Sequence, residues 1–487
     1  MTLVAVLVVL FPLLVGSALL LVGHTRAARP AGIAASALLL VGAVALTSAA
    51  ADGPVIVTVG ALPAPLGITL VADVLAGVAA SVSAAVLLAV QVALRGTAAD
   101  RWHATRASLL VLTAGVMLAY LTADLFTLFV SFEIVLFASY ALLTREGDVE
   151  GVDAAPAYVK ANLIASAVFL VAIAGVYGAT GHVAFAEVSA AWPEVDPAVR
   201  ALTTAALLGV AATKAAIVPL GVWLPRTYGA MPPVLAAAVG AILTKVGVVA
   251  LVRVLQVTGP HGTGSSTAVL VLASVTMLVG VVVAIGQKDL TRVLAAHVVS
   301  QVGFMVAGFG LLDLAGTTGG ILYLGHHVLV KGALLLVAAA VMARFGTTSL
   351  GRLRGALVGH PVLAGVLLLG AATLAGLPPT TGFVAKVALL RAAIDAEVWW
   401  LLAVMGLASL LTLVSMLKVH VALRGESDGQ VPPQAHWPQA QGAERRALAG
   451  AGALLTVGVV AAVLAGPLHG LAVTGATQLL GAEEVTR

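Results

Sequence analysis

The 487-residue chain has no cysteine, which excludes disulfides, thiolate metal sites and cysteine nucleophiles. Charge is almost as scarce, at 9% of positions against 61% apolar. A soluble domain carries roughly a quarter charged residues, so a water-solvated globule is excluded. The sequence also lacks a phosphate loop, a nucleotide fingerprint and a hydrolytic triad, and its loops are too short to house an ATPase. No cofactor, metal site or nucleotide site is therefore expected, and any driving force must come from an ion gradient or partner subunits. The N-terminal run "MTLVAVLVVLFPLLVGSALLLVG" has no basic region ahead of it and is long enough to be a first span rather than a cleaved signal. The isoelectric point is near 9.5, but a net charge of +4 on such a chain reflects membrane topology rather than nucleic-acid binding.

What is present is hydrophobic length. Mean hydropathy is +1.11. An apolar run of about 20 residues crosses the hydrocarbon core as a helix. By that measure fourteen helices are expected, near 2–23, 31–50, 68–94, 107–122, 124–143, 157–180, 201–224, 233–256, 267–286, 290–312, 318–343, 359–394, 398–423 and 447–469. Only "TAD" separates the fourth from the fifth. The seventh is interrupted by Pro219 and "WLP", the twelfth by "GLPPTTG" with Pro378 and Pro379. The fold class is thus an all-α polytopic membrane protein.

Basic residues orient it. Seventeen of the twenty-five fall in odd-numbered loops: Arg26, Arg29, Arg95, Arg101, Arg106, Arg145, Lys160, Arg226, Lys288, Arg292, Arg344, Arg352, Arg354, Lys418, Arg424, Arg445 and Arg446. The even loops hold Arg200, Arg253 and Arg391, and the tail Arg487. This asymmetry puts the odd loops in the cytoplasm and both termini outside.

Four lysines remain, and all lie inside apolar helices: Lys214, Lys245, Lys331 and Lys386. Glu133 sits mid-span in "LTADLFTLFVSFEIVLFASYALL". One such lysine alone could snorkel to a headgroup. Four with a glutamate, near mid-span, point to an ion or proton path. Pro219 has no N–H, which frees the carbonyl of Ala215 next to Lys214, and Pro378 and Pro379 open the helix before Lys386. Broken helices at membrane depth are tolerated where they line a wet cavity. The alternative for each break is a kink that only shapes packing. His327 and Lys331 share a face at i and i+4, a plausible relay pair, since two cations crowd one another and histidine titrates near neutrality. His326 is turned about 100° away and is the weaker candidate. His297, Asp73 and Asp124 rank lower still, the first as a core residue, the aspartates as interfacial ones.

Five segments then carry a resemblance: "DLFTLFVSFEIVLFASYALL", "WLPRTYGAMPPVLAAAVGAILTKVGVVALVRV", "TRVLAAHVVSQVGF", "LGHHVLVKGALLLVAAAVM" and "GLPPTTGFVAKVALL". In this order they resemble the proton-translocating antiporter-like subunits shared by respiratory complex I and the Mrp cation/proton antiporters. "PPV", "LTKVG" and "HHVLVK" look most like the D-type branch of the Mrp systems. The resemblance implies two inverted five-helix repeats, helices four to eight (107–256) and nine to thirteen (267–423). Helices one to three (1–106) precede them, a fourteenth helix (447–469) follows, and helices seven and twelve are broken. It implies a hydrated midplane proton path of Glu133, Lys214, Lys245, His327, Lys331 and Lys386, with Glu133 and Lys214 as a switch pair. Tyr323 departs from the pattern, since some relatives carry a histidine there.

The function this implies is proton conduction within a multisubunit Na⁺/H⁺ (monovalent cation/proton) antiporter of a bacterial cytoplasmic membrane. Its partners would be the other integral-membrane subunits and the bilayer, and the chain itself would be a transporter subunit rather than an enzyme. The alternative is the proton-pumping subunit of complex I or a membrane-bound hydrogenase. A structural subunit with vestigial polar residues, or a lone solute transporter, fits the intramembrane charges less well.

Overall fold

The computed structural model describes every residue except 24, 26, 60–66, 146–148, 260–262, 426–438 and 482–487, and of 263–266 only the backbone. Arg26 and Arg487 of the basic-residue pattern lie outside the described residues. Among the described residues there are eighteen α-helices and one two-stranded sheet. The first six expected spans are α1 (Thr2–Val22), α2 (Ala28–Asp52), α3 (Val74–Ala93), α4 (Thr105–Leu121), α5 (Leu125–Leu143) and α6 (Val149–Thr180). After a short α7 (Phe185–Ala191), the seventh span is split into α8 (Pro197–Ala215) and α9 (Leu224–Ala230). Then come α10 (Pro233–Thr258), α11 (Thr263–Gly286), α12 (Leu290–Gly310) and α13 (Leu314–Phe345). The twelfth span is likewise split, into α14 (Pro361–Ala375) and α15 (Thr381–Asp395), and α16 (Trp399–Arg424), α17 (Ala440–Val463) and α18 (Ala465–Leu480) complete the chain.

Three local expectations are corrected. Residues 68–72, expected as helix, are a strand: β1 (Val55–Val59) pairs antiparallel with β2 (Ile68–Ala72). The helix starts only at Val74, because the Asp73 side chain accepts from the Ala76 N–H at 2.8 Å and caps it. α7 and α18 were not expected. α18 follows α17 after one residue and is fastened by Gln478, which donates to the Ala50 carbonyl at 2.7 Å and accepts from the Val74 N–H at 3.0 Å. Arg106 and Arg253, expected in loops, are buried within helices.

The helices divide by burial. The most apolar stretches of α10 and α12 are wholly buried, and that of α13 nearly so, whereas α1, α2, α6 and α16 bury only 33% of theirs. Side chains on α10, α12 and α13 therefore face protein, not lipid. Polar groups there need protein or water partners.

Both breaks are built alike. α8 ends at Ala215, Ala216 adopts the left-handed conformation (φ 61°), and Ile217 N–H returns to the Ala212 carbonyl at 2.9 Å. α14 ends at Ala375, Gly376 is left-handed (φ 86°), and Leu377 N–H returns to the Ala372 carbonyl at 2.9 Å. This is the usual left-handed helix stop. Each break thus begins three residues before Pro219 or Pro379, so the prolines prolong an interruption the backbone has already made.

Asp73 also accepts from Arg253 of α10 at 2.7 Å, both groups being buried. Removing one member of a buried pair strands the other charge. Asp73→Ala is expected to destabilise the chain by about 3–5 kcal/mol. Thermal unfolding in detergent micelles measures this, and an unshifted transition would contradict the capping and pairing role.

Candidate functional site

Asp124 caps α5 by accepting from Thr127 N–H at 2.6 Å, which fixes where that helix enters and brings Glu133 round toward α6. Glu133 is half-buried, and its carboxylate accepts from the Ser166 hydroxyl of α6. Lys214 stands on the last turn of α8, where the helix dipole favours a cation. Its amine lies 5.2 Å from the centroid of the Phe132 ring, a cation–π placement, and within electrostatic reach of Glu133 without ion-pair contact. The acid and the amine are thus neighbours, with α5 reached from α8 through the Phe132 ring, each with its own first partner.

The step from Lys214 to Lys245 is made by backbone packing. A Cβ at Gly247 of α10 would lie 2.1 Å from the Ala215 nitrogen and 2.5 Å from the Lys214 carbonyl carbon. The broken end of α8 therefore rests on α10 half a turn beyond Lys245. Lys245 is fully buried, and its amine donates to the Thr244 hydroxyl at 3.1 Å and the Gly240 carbonyl at 3.4 Å. Lys331, on α13, is also fully buried, donates to the Leu294 carbonyl of α12 at 3.0 Å, and is near enough to Lys245 to interact with it electrostatically.

His327 lies in the reach of Lys245, Lys331 and His297, and neither of its ring nitrogens has a protein hydrogen-bond partner. His297 is a half-satisfied residue: Nε2 meets the Ser415 hydroxyl of α16 at 2.9 Å, while Nδ1 has no protein partner. His326 turns to the other side of α13, where Nδ1 meets the Thr381 hydroxyl of α15 at 3.1 Å. The two adjacent histidines thus look to different neighbours, and His326 belongs to the Lys386 end.

Lys386 is buried on α15, and its amine donates to the Ala375 carbonyl at 2.9 Å and stands 5.0 Å from the Phe304 ring centroid. The carbonyl freed at the end of α14 is therefore taken by the lysine itself. The fit is close. A Cβ on left-handed Gly376 would meet Lys386 Cδ at 2.6 Å, and one on Gly382 the Thr373 carbonyl oxygen at 1.9 Å.

The structure thus gathers Lys245, His297, His326, His327, Lys331 and Lys386 into one buried cluster among α10, α12, α13 and α15, with Glu133 and Lys214 at one end. It leaves Asp73 and Asp124 outside as helix caps. Ser166, Ser415, Thr381 and Gln301 were not singled out in the sequence. Their only signal was polarity inside an apolar run, which serine and threonine share with many residues that bond back to their own helix.

Residues 122–412 match the family described as NADH:quinone oxidoreductase/Mrp antiporter, TM. The chain is 36% identical over 422 residues to the D subunit of a Na(+)/H(+) antiporter from Alkalihalophilus pseudofirmus, covering 85% of this chain and 86% of the relative. It is 32% identical over 426 residues to the N subunit of the NADH-quinone oxidoreductase of Desulforudis audaxviator, covering 85% of both. A chain in the structure of the Mrp complex from Dietzia sp. DQ12-45-1b superposes with a TM-score of 0.91 at 31% identity, over 100% of this chain and 99% of that one. The chain belongs to this NADH:quinone oxidoreductase/Mrp antiporter family, as the five segments implied, and is a multi-pass membrane protein.

The contact at Gly247 can be tested alone. Gly247→Ala forces a methyl onto the Ala215 backbone and is expected to cost about 1–3 kcal/mol through overpacking. A lowered midpoint of thermal unfolding is the expected result, and an unchanged midpoint would show that α8 and α10 can part without cost.

Proposed function

We propose that this chain is the D-type, proton-conducting subunit of a multisubunit Na⁺/H⁺ antiporter in a bacterial cell membrane, and a transporter subunit rather than an enzyme. The carrying observation is the buried run of ionisable groups from Lys245 through Lys331 and His327 to Lys386, each within reach of the next or held by a carbonyl. The names of the antiporter relatives and the Mrp-complex neighbour support the same reading.

In this reading protons move along Glu133, Lys214, Lys245, His327, Lys331 and Lys386. Glu133 and Lys214 act as the switch. Attraction to the carboxylate favours the charged amine, and a carboxylate held by Ser166 instead attracts it less. The breaks at Pro219 and at Pro378 and Pro379 admit water beside the end lysines. Two repeats, 107–256 and 267–423, carry one break each, with 1–106 before them and 447–469 after. The odd loops face the cytoplasm and both termini face outward, as the basic residues favour. Coupling to cation export runs through the neighbouring membrane subunits.

A second reading, the proton-pumping subunit of a quinone-linked oxidoreductase, has one supporting observation, the Desulforudis relative. Co-purifying flavin and iron–sulfur proteins would favour it, and small membrane proteins the antiporter.

Glu133→Ala and Lys214→Ala should each abolish Na⁺-dependent proton flux in the reconstituted complex while leaving its assembly intact. Unchanged flux in either assembled variant would remove that residue from the path.

A further inference from the structure

Tyr323, His327 and Lys331 are spaced four residues apart on α13, so they stand one above another on a single face. The antiparallel α12 meets that face rung by rung. Lys331 donates to the Leu294 carbonyl, His327 lies in the reach of His297, and the Tyr323 hydroxyl donates to Gln301 Oε1. His297 and Gln301 are themselves four residues apart. Each step toward the N-terminal end of α13 is therefore one turn along the helix pair.

Past the Tyr323–Gln301 rung the contacts lead to the terminal lysine. Phe304 stacks on Tyr323, with centroids 5.2 Å apart and planes at 12°, and its ring also receives the Lys386 amine at 5.0 Å. His326 stands edge-on to Tyr323 at 5.5 Å. Tyr323, Gln301 and His327 are all fully buried. Five nitrogens around them have no protein hydrogen-bond partner: Gln301 Nε2, His297 Nδ1, His326 Nε2 and both nitrogens of His327. Buried polar nitrogens in native proteins are met by ordered water when no protein group serves them.

We propose that Tyr323, oriented by Gln301, is the relay step that joins His327 to Lys386. The inference rests on the midplane path proposed above. The phenol oxygen accepts a proton from the His327 side while its own O–H proton leaves through water toward Lys386. One O–H bond forms as another breaks, and the ring ends as the same neutral phenol. Gln301 Oε1 holds the hydroxyl between transfers, and Phe304 sets the distance between ring and amine. Tyrosine thereby does the work of a histidine at this position without adding another cation to a cluster that already holds several.

The test uses the complete complex, all subunits present, reconstituted into liposomes. Tyr323→Phe keeps the stack on Phe304 and removes only the hydroxyl. It is expected to lower proton flux about tenfold or more in a complex that still assembles, its unfolding midpoint modestly lowered because Gln301 Oε1 loses its donor. Tyr323→His, which can again accept and donate, should restore most of that flux, and Gln301→Met should lower it. Tyr323→Phe flux within about twofold of the parent would overturn the relay, since that is less than one lost hydrogen bond predicts. A Tyr323→His complex as inactive as Tyr323→Phe would overturn it too. If Tyr323→Phe does not assemble, Gln301→Met decides by the same limits. Lys331→Ala and Lys386→Ala are measured alongside. Full flux in both would sink the midplane path itself, whereas loss in both with full flux in Tyr323→Phe would remove only this rung.

Discussion

Three lysine amines, on Lys245, Lys331 and Lys386, have been taken out of water and a fourth, on Lys214, partly so, and the structure is arranged around that cost. An ammonium group in a low-dielectric interior is unfavourable by several kcal/mol unless it is held. Among the described residues none of the four is held by direct contact with a carboxylate. Lys331 and Lys386 each donate to a backbone carbonyl, Lys245 to a hydroxyl and a more distant carbonyl, and Lys214 lies over an aromatic face. A neutral amine still has N–H groups to donate, so a carbonyl serves the lysine with its proton or without it. A tight carboxylate partner would hold the charged form in place. Dipole partners therefore satisfy the polar group without committing it to one protonation state, which a group that passes protons requires.

Where such carbonyls come from explains the helix breaks. A continuous helix spends its carbonyls on its own N–H groups. The left-handed stop at Gly376 ends α14 and releases the Ala375 carbonyl, and Lys386 from the next helix segment takes it. The matching stop at Ala216 ends α8 just after Lys214. One break thus has its lysine before the stop and the other after it, with the same backbone geometry in both. Glycine is required where these ends touch a neighbour. At Gly247 and Gly382 even a methyl group would collide with backbone atoms.

The sequence was most legible where one strong physical cost dominated. Hydropathy located the long apolar helices and the two interruptions, and the expense of burying charge singled out Glu133 and the four lysines. It was less legible where the energies compared are small or lie between helices. An apolar strand such as Ile68–Ala72 looks like the start of the helix it precedes, and only the cap at Asp73 separates them. α18 carries glycine, threonine and glutamine and falls below the hydropathy of a span, yet two side-chain hydrogen bonds of Gln478 dock it. Asp124 reads as a possible site residue by its type and as a cap once its partner, Thr127 N–H, is seen. The separate surroundings of His326 and His327 depend on which helix packs against each side of α13, and a 100° rotation on one helix says nothing of that.

The distribution of sign has a consequence for how the cluster can respond. Among the described residues its buried ionisable nitrogens belong to lysines and histidines, while the one carboxylate of the set, Glu133, stands half-buried on the α5–α6 side. Lys245, Lys331 and His327 lie within electrostatic reach of one another, and like charges so placed repel. Repulsion of this kind couples neighbours without any movement of the backbone. The attraction of Glu133 acts at the Lys214 end alone. The two kinds of coupling therefore sit in different places, attraction at the Lys214 end and repulsion among Lys245, Lys331 and His327. One acid at the rim and several bases within make the two ends of the row electrostatically different, as four equivalent lysines would not be.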